Sequence, residues 1–409
     1  MKKESYQYFR LDNGIKIIHK EADSAVTHVG LVVNTGTRDE LPEENGIAHF
    51  IEHTIFKSTR KRNTYQVLSY LENVGGDLNA YTTKEETFFY ASVLNDCFGR
   101  ALDLLADIVF NPAFHEKDLE TEKEVVLEEI SSYKDNPAEL IFDEFENQLF
   151  EGHPIGTYIL GTKKSVRSFH REDILKFMER TYHTDQMVIA VVGNIPFKRC
   201  VAQVQKYFGN IPCRKRDYRR QPFSDYRPSH RTKHIRGSQN HLIMGCALPR
   251  YNDHRHITAT LLNNLLGGPG LNTRLNLALR EKKGYVYSVE SAYAALSDSG
   301  LFTIYAGMDD KNSEKCREII GMELRRLREQ PLGPLQLERA KRQLIGQTCI
   351  TNESNLTEML SIGKNHLIYD EVETIPELLA KLQTVTAGDI METAGEMLAE
   401  ERLSSLLYT

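Results

Sequence analysis

The chain has 409 residues, of which 40% are hydrophobic and 26% charged, and it carries a net charge of −6 at pH 7. This fits a soluble globular protein of two to three domains and excludes a global attraction to nucleic acid or anionic membrane. No run of about 18 apolar residues is available to span a membrane.

The opening Met1-Lys2-Lys3-Glu4-Ser5-Tyr6-Gln7-Tyr8 leads into no apolar segment, so no secretory signal is expected. The six cysteines are scattered, with no C-x-x-C, and are expected to be reduced thiols of a cytoplasmic protein. Residues 6–20 read as a hairpin turning at Asp12-Asn13-Gly14, and Thr27 to Thr35 alternates as a strand.

After a polar loop comes Asn45-Gly46-Ile47-Ala48-His49-Phe50-Ile51-Glu52-His53-Thr54-Ile55-Phe56. Four residues apart, His49 and His53 fall on one face of a helix, with Glu52 beside them. Ile47, Ile51 and Ile55 form the opposite, core-facing stripe. Two imidazoles at this spacing can grip one metal ion, and Zn²⁺ with an open position suits them best. Glu52 is poorly placed to bind the same ion and can instead take a proton from the attacking water. The pattern H-x-x-E-H is the inverted zincin motif.

Asn63 to Val74 reads as an amphipathic helix, and residues 75–90, rich in Thr and aromatics, as strand-like. Helices are expected at about 96–109, 116–134, 137–150 and 171–181. A strand follows at Met187 to Val192, then a helix from Pro196 to Phe208. Hydrolytic zinc usually takes three protein ligands, so the helix at 116–134 is searched for the third. Leu119, Val126, Ile130 and Tyr133 form its apolar stripe, and Glu122 and Glu129 fall inside that stripe. Carboxylates there are expensive unless paired or metal-bound, which makes Glu129 the third ligand. Glu122, two turns earlier, is suited to hold a ligating His by its free N–H. Glu120, Glu124 and Glu128 lie on the opposite, solvated side.

From Cys213 to Lys233 the chain is rich in arginine, with Pro222 and Pro228, and reads as a solvated interdomain linker rather than a nucleic-acid patch. The second half repeats the first in outline. His241 to Leu248 echoes the early strand, and 256–266 stands where the metal helix stood. A helix at Asn272–Glu281 and a hairpin from Val286 to Met308 follow. The repeat has no H-x-x-E-H, and its His254 and His256 read as surface residues.

The motif together with Glu122 and Glu129 resembles the pitrilysin/insulinase family, which includes the mitochondrial processing peptidase subunits. Members carry a ligating Glu 76 residues past the second His, the place of Glu129, and an accessory Glu seven residues earlier, the place of Glu122. The likeness covers essentially the whole chain and is closest to the half-size bacterial type, similar to the processing peptidase beta subunit. It implies an α+β fold of two homologous domains, each an antiparallel sheet packed with helices. Their expected bounds are a catalytic zinc domain at 1–212, a basic linker at 213–232 and a metal-free copy at 233–409. It also implies a zinc metalloendopeptidase with one Zn²⁺ per chain, acting on peptides or unfolded segments in an enclosed chamber.

Asn79 and Ala80, on a strand that in the family is an exposed edge, would contact substrate. Arg280 and Tyr287 match the family's Arg/Tyr pair, spaced seven apart, with Tyr285 a competing tyrosine; these donors could stabilise an oxyanion. A homodimer is expected, each zinc site completed by the partner's pair. The alternative is a non-catalytic assembly or core subunit, against which the complete ligand set speaks.

Overall fold

The computed structural model describes residues 6–235, 237, 239–370 and 372–409. The chain forms two compact units. The first holds the chain up to Ser131, Thr157–Arg220 and Ile350–Thr374; the second holds Ser132–Gly156, Gln221–Cys349 and Ile375–Thr409.

The first unit is built on six strands: β1 (Gln7–Arg10), β2 (Lys16–Glu21), β3 (Val26–Val33), β4 (Asp77–Thr82), β5 (Thr87–Leu94) and β6 (Met187–Gly193). Their order is β1-β2-β6-β3-β5-β4. The expected first hairpin forms, with Gln7 opposite His19 and Arg10 opposite Lys16. The sheet is mixed rather than wholly antiparallel: β2 and β6 run parallel, because the long crossover between them returns the chain in the same direction. Residues 75–90 are not one strand. The chain reverses at Thr83-Lys84-Glu85-Glu86, where Thr83 Oγ1 accepts the N–H groups of Glu85 and Glu86 at 3.2 and 3.1 Å. That hydroxyl does the work for which Gly, Asn or Asp would be the usual signal.

Strand periodicity sorts the core onto two faces. Val29, Leu31 and Val33 join Phe89 and Ile189 under α1 (Ile47–Thr54), α2 (Thr64–Glu72), α3 (Phe98–Phe110) and α4 (Glu116–Lys134). Val32, Phe88 and Ala190 point the other way and pack against Met359 and Ile362 of the helix Asn355–Tyr369. With both faces covered, β6 is buried along its whole length, which explains its unbroken apolar run.

The second unit repeats this topology with β7 (His230–Lys233), β8 (Asn240–Pro249), β9 (Val286–Ala295), β10 (Ser299–Met308) and β11 (Ser404–Tyr408). The order β7-β11-β8-β10-β9, with one parallel pair at β7–β11, matches β2-β6-β3-β5-β4 strand for strand. The helix Asp253–Gly267 follows β8 as α1 follows β3. Over Asn276–Glu281 the expected helix is π-helical, with Lys282 N–H reaching back five residues to Leu277 O at 3.1 Å. The covering helices are exchanged along the chain. The helix α5 (Pro137–Leu149) packs on β8 and β11 of the second unit, as Asn355–Tyr369 packs on β3 and β6 of the first. The packing units therefore cut across the linear bounds 1–212 and 233–409.

The basic stretch after Cys213 is not simply solvated. Arg216 and Arg220 turn inward onto Asp39, whose side chain is fully buried. Arg220 Nε and Nη2 grip the two Asp39 oxygens at 3.0 and 2.6 Å, and Tyr218 OH donates to Oδ1 at 3.1 Å. Glu85, in the β4–β5 turn, accepts from Arg38 at 2.6 Å and lies 3.5 Å from Arg220. A buried carboxylate must be matched by cations, and two of this linker's arginines do the matching. Asp39→Ala leaves Arg216 without its carboxylate and Arg220 with Glu85 alone, and is expected to destabilise the first unit by about 3–5 kcal/mol. Arg219→Ala, on the exposed side of the same stretch, is expected to stay within about 0.5 kcal/mol of wild type. Urea unfolding followed by circular dichroism measures both.

Candidate metal centre

The sequence Ile47–Thr54 folds as α1 because its isoleucines share one buried face. Its entry is fixed by a backbone device. Gly46 sits at φ 92°, and a Cβ there would come within 2.7 Å of the Gly161 backbone, so only glycine serves. Glu40 then folds back over the helix start. Its carboxylate accepts from Gly46 N at 2.9 Å, Ala48 N at 3.0 Å and Asn45 Nδ2 at 3.3 Å. The two backbone N–H groups are donors that a helix end leaves unsatisfied. Burial pushes the Glu40 carboxyl up to about 8, against the pull of those three donors.

On the polar face the rings of His49 and His53 stand 4.7 Å apart, edge to face. Across from them α4 presents Glu122 and Glu129. Glu129 Oε2 lies 3.4 Å from His53 Nε2 and 3.8 Å from His49 Nε2. Ligand atoms of His49, His53 and Glu129 all lie within 4.8 Å of one another, and among the described residues they are the one group placed to hold a metal ion. Glu129 Oε2 is shielded from solvent and makes no well-aligned hydrogen bond, its near neighbour being His53 Nε2. An anionic oxygen facing two imidazole nitrogens fits a cation between the three. Glu122 Oε2 faces His53 Nδ1 at 3.4 Å, so His53 can donate there and turn Nε2 toward the centre. His49 Nδ1 is buried without such a partner.

Burial and the neighbouring His53 push the His49 imidazole down to about 4, so it offers a lone pair at neutral pH. Glu122 and Glu129 hold His53 up, at about 9. Burial raises the Glu52 carboxyl above the usual carboxylate range, with Thr82 and His53 pulling it back. A raised carboxylate is the stronger base, which suits proton transfer. On α4, Glu120, Glu124 and Glu128 are exposed, on the side opposite the centre.

The strand beside α1 is β4, the edge of its sheet. Asn79 is exposed on it, and its Oδ1 accepts the N–H of Ala80 at 2.8 Å. In the second unit Arg280 is exposed at the end of the π-helix. Tyr287 is exposed on the edge strand β9, its OH donating to Asp309 at 2.8 Å. Tyr285 instead packs against the core, so Tyr287 is the more available of the two. His254 and His256 are exposed, and all six cysteines are unpaired. No helix among the described residues is long and apolar enough to cross a membrane.

The model of the insulinase peptidases, family M16, matches residues 16–163, and that of the M16 inactive domain matches 168–344. An uncharacterized zinc protease of Rickettsia bellii is 30% identical, covering 99% of this chain and 98% of its own. The uncharacterized zinc protease YmxG of Bacillus subtilis is 32% identical, covering 98% and 97%. The chain belongs to the M16 peptidase family. A protease from Helicobacter pylori shares the fold of the M16 chain at a TM-score of 0.91 and 19% identity, covering 99% of both chains. An M16 inactive-domain protein of Pseudomonas fluorescens does so at 0.92 and 20%, covering 99% and 98%. The M16 inactive-domain match lies wholly outside the H-x-x-E-H stretch at 49–53.

Glu40 was not among the residues singled out from the sequence. It belongs to an acidic run before α1, and nothing in the run marks which carboxylate returns to the helix. Its raised pKa carries a sign. Below about 4.5 the group is protonated folded or unfolded. Between about 4.5 and 8 the folded state holds a proton the unfolded state has lost, so its contribution to stability declines as pH rises. The stability of wild type relative to Glu40→Gln is therefore expected to fall across that window and level off above it. Urea titrations of both proteins at several pH values measure the difference.

Proposed function

We propose that this M16 chain is a zinc-dependent metalloendopeptidase that cleaves peptides or unfolded segments. The observation behind this reading is the shielded Glu129 oxygen beside His49 and His53, with Glu52 following on the same helix face. His49, His53 and Glu129 hold one Zn²⁺. When bound, zinc supplies Lewis acidity, polarising the scissile carbonyl and lowering the pKa of the attacking water. Glu52 takes the proton of that water and returns it to the leaving amine. Glu122 holds His53 by Nδ1 and keeps Nε2 directed to the centre.

Substrate is held extended along β4. Its backbone pairs with the free edge near Asn79 and Ala80, while side chains play a lesser part. This suits unfolded segments, since a folded substrate offers no extended strand to pair. Arg280 and Tyr287 donate to the substrate carbonyl as negative charge develops there. The chain works as a homodimer enclosing a chamber, in which each zinc site receives the Arg280 and Tyr287 of the other chain. A non-catalytic assembly subunit would have no use for the full set His49, Glu52, His53 and Glu129.

Purified protein is expected to hold about one zinc per chain, and His49→Ala, His53→Ala or Glu129→Gln to lose it. Glu52→Gln should keep the metal while turnover falls by about 10²–10⁴-fold. For Glu122→Gln a milder loss of about 10–100-fold is expected. Elemental analysis beside a digest of mixed peptides reads all of these together. Full zinc in every ligand variant, or normal turnover in Glu52→Gln, contradicts the assignment.

The dimer has its own test. Arg280→Ala is expected to lose about 10²–10³ in rate, and Glu52→Gln to keep only its small residual rate. Mixed by subunit exchange, the two form heterodimers with one chamber intact and the other doubly defective. Activity then rises well above the sum of the separate variants. Verified heterodimers with no gain would place the pair's action elsewhere.

A further inference from the structure

We infer that Lys57 is a positioning residue for the metal centre, acting through Glu122 on His53; this rests on the zinc reading above. Lys57 lies in the turn that follows α1, its N–H donating to Thr54 O at 3.1 Å. Its ammonium pairs with Glu122 Oε1, while Glu122 Oε2 faces His53 Nδ1 at 3.4 Å. The Glu122 side chain is only 6% exposed, whereas that of Lys57 is 31% exposed. One buried carboxylate is thus held at both oxygens, by a cation on one side and an imidazole on the other.

The terminal torsion of a Glu side chain is soft and broad, so one partner alone does not fix the carboxylate plane. The Lys57 contact supplies the second fixed point. With Lys57 on Oε1, Oε2 is left to accept from His53 Nδ1. That acceptance sets the tautomer that leaves Nε2 free for a metal. Lys57 is on the same short segment as His49 and His53, so the segment carries two metal ligands and the cation that orders their acidic neighbour.

Two physical effects of Lys57 oppose each other. As a bare positive charge near a divalent ion, it repels the metal, and its removal would tighten binding. As the anchor of Glu122, it orders His53, and its removal weakens binding. The compact pairing with a buried carboxylate makes the second effect the larger. The sign of the change in zinc affinity therefore decides between them.

Zinc dissociation constants are measured by competition with a chromogenic chelator for wild type, Lys57→Met, Lys57→Gln, Lys57→Arg, Glu122→Gln and the double variant K57M/E122Q, with far-UV circular dichroism confirming the fold. Lys57→Met and Lys57→Gln are expected to weaken zinc binding by about 10-fold or more, within the range for an outer partner of a ligand. The two neutral variants are separate readouts, so failure of one to fold leaves the other. Lys57→Arg is expected to restore most of the affinity. On the Glu122→Gln background, loss of Lys57 should cost nothing further and should tighten binding slightly as the repulsion disappears. Wild-type affinity or tighter in both neutral variants overturns the role of Lys57. So does an additive loss in the double variant, which would mean Lys57 acts other than through Glu122. A wild-type protein that binds no zinc overturns the metal reading and this inference with it.

Discussion

The centre depends on a contact between two helices far apart in the chain: α4 brings Glu122 and Glu129 against the imidazoles of α1. Neither helix could form this face alone. Carboxylates in a partly buried stripe are costly, and so are two imidazoles shielded from water. Placed together, each set lowers the cost of the other. The core residues Ile47, Ile51, Leu119, Val126 and Ile130 belong to one cluster, and their packing sets how closely the polar faces approach. The approach of His49, His53 and Glu129 is therefore set by apolar packing on the other side of the two helices.

Around this contact stands a set of buried acidic groups with structural duties. Glu40 closes the start of α1, and Asp39 beside it gathers Arg216 and Arg220. Adjacent residues thus tie the metal helix at one end and draw in the stretch that leads out of the unit at the other. Glu85 extends the network into the β4–β5 turn, next to the edge strand β4. A rigid edge and a rigid helix are what a preorganised peptidase site needs, since displacement of catalytic groups by about 1 Å costs much of the rate.

Much of this was legible in the sequence. The helix 116–134, the metal motif and the position of Glu129 follow from spacing, because a 3.6-residue period places Glu122 and Glu129 on the same face as Leu119 and Val126. The internal repeat was also visible, and the strand orders match it pair for pair. Three features were not. The turn at Thr83–Glu86 uses a Thr hydroxyl in place of a turn residue. The inward arginines of the linker look like any solvated basic run until Asp39 is placed beside them. The exchange of α5 and the helix Asn355–Tyr369 between units depends on tertiary packing, which local periodicity does not encode. Glu40 and Lys57 share that reason: their partners are set by how the chain folds back.

The central claim is that His49, His53 and Glu129 hold a zinc ion where Glu52 can act. Anomalous diffraction at the zinc edge from crystals of zinc-loaded Glu52→Gln protein tests it most directly. The account predicts one strong peak per chain, with His49 Nε2, His53 Nε2 and a Glu129 carboxylate oxygen at about 2.0–2.2 Å. No peak at this centre in crystals that carry zinc elsewhere on the chain would contradict it.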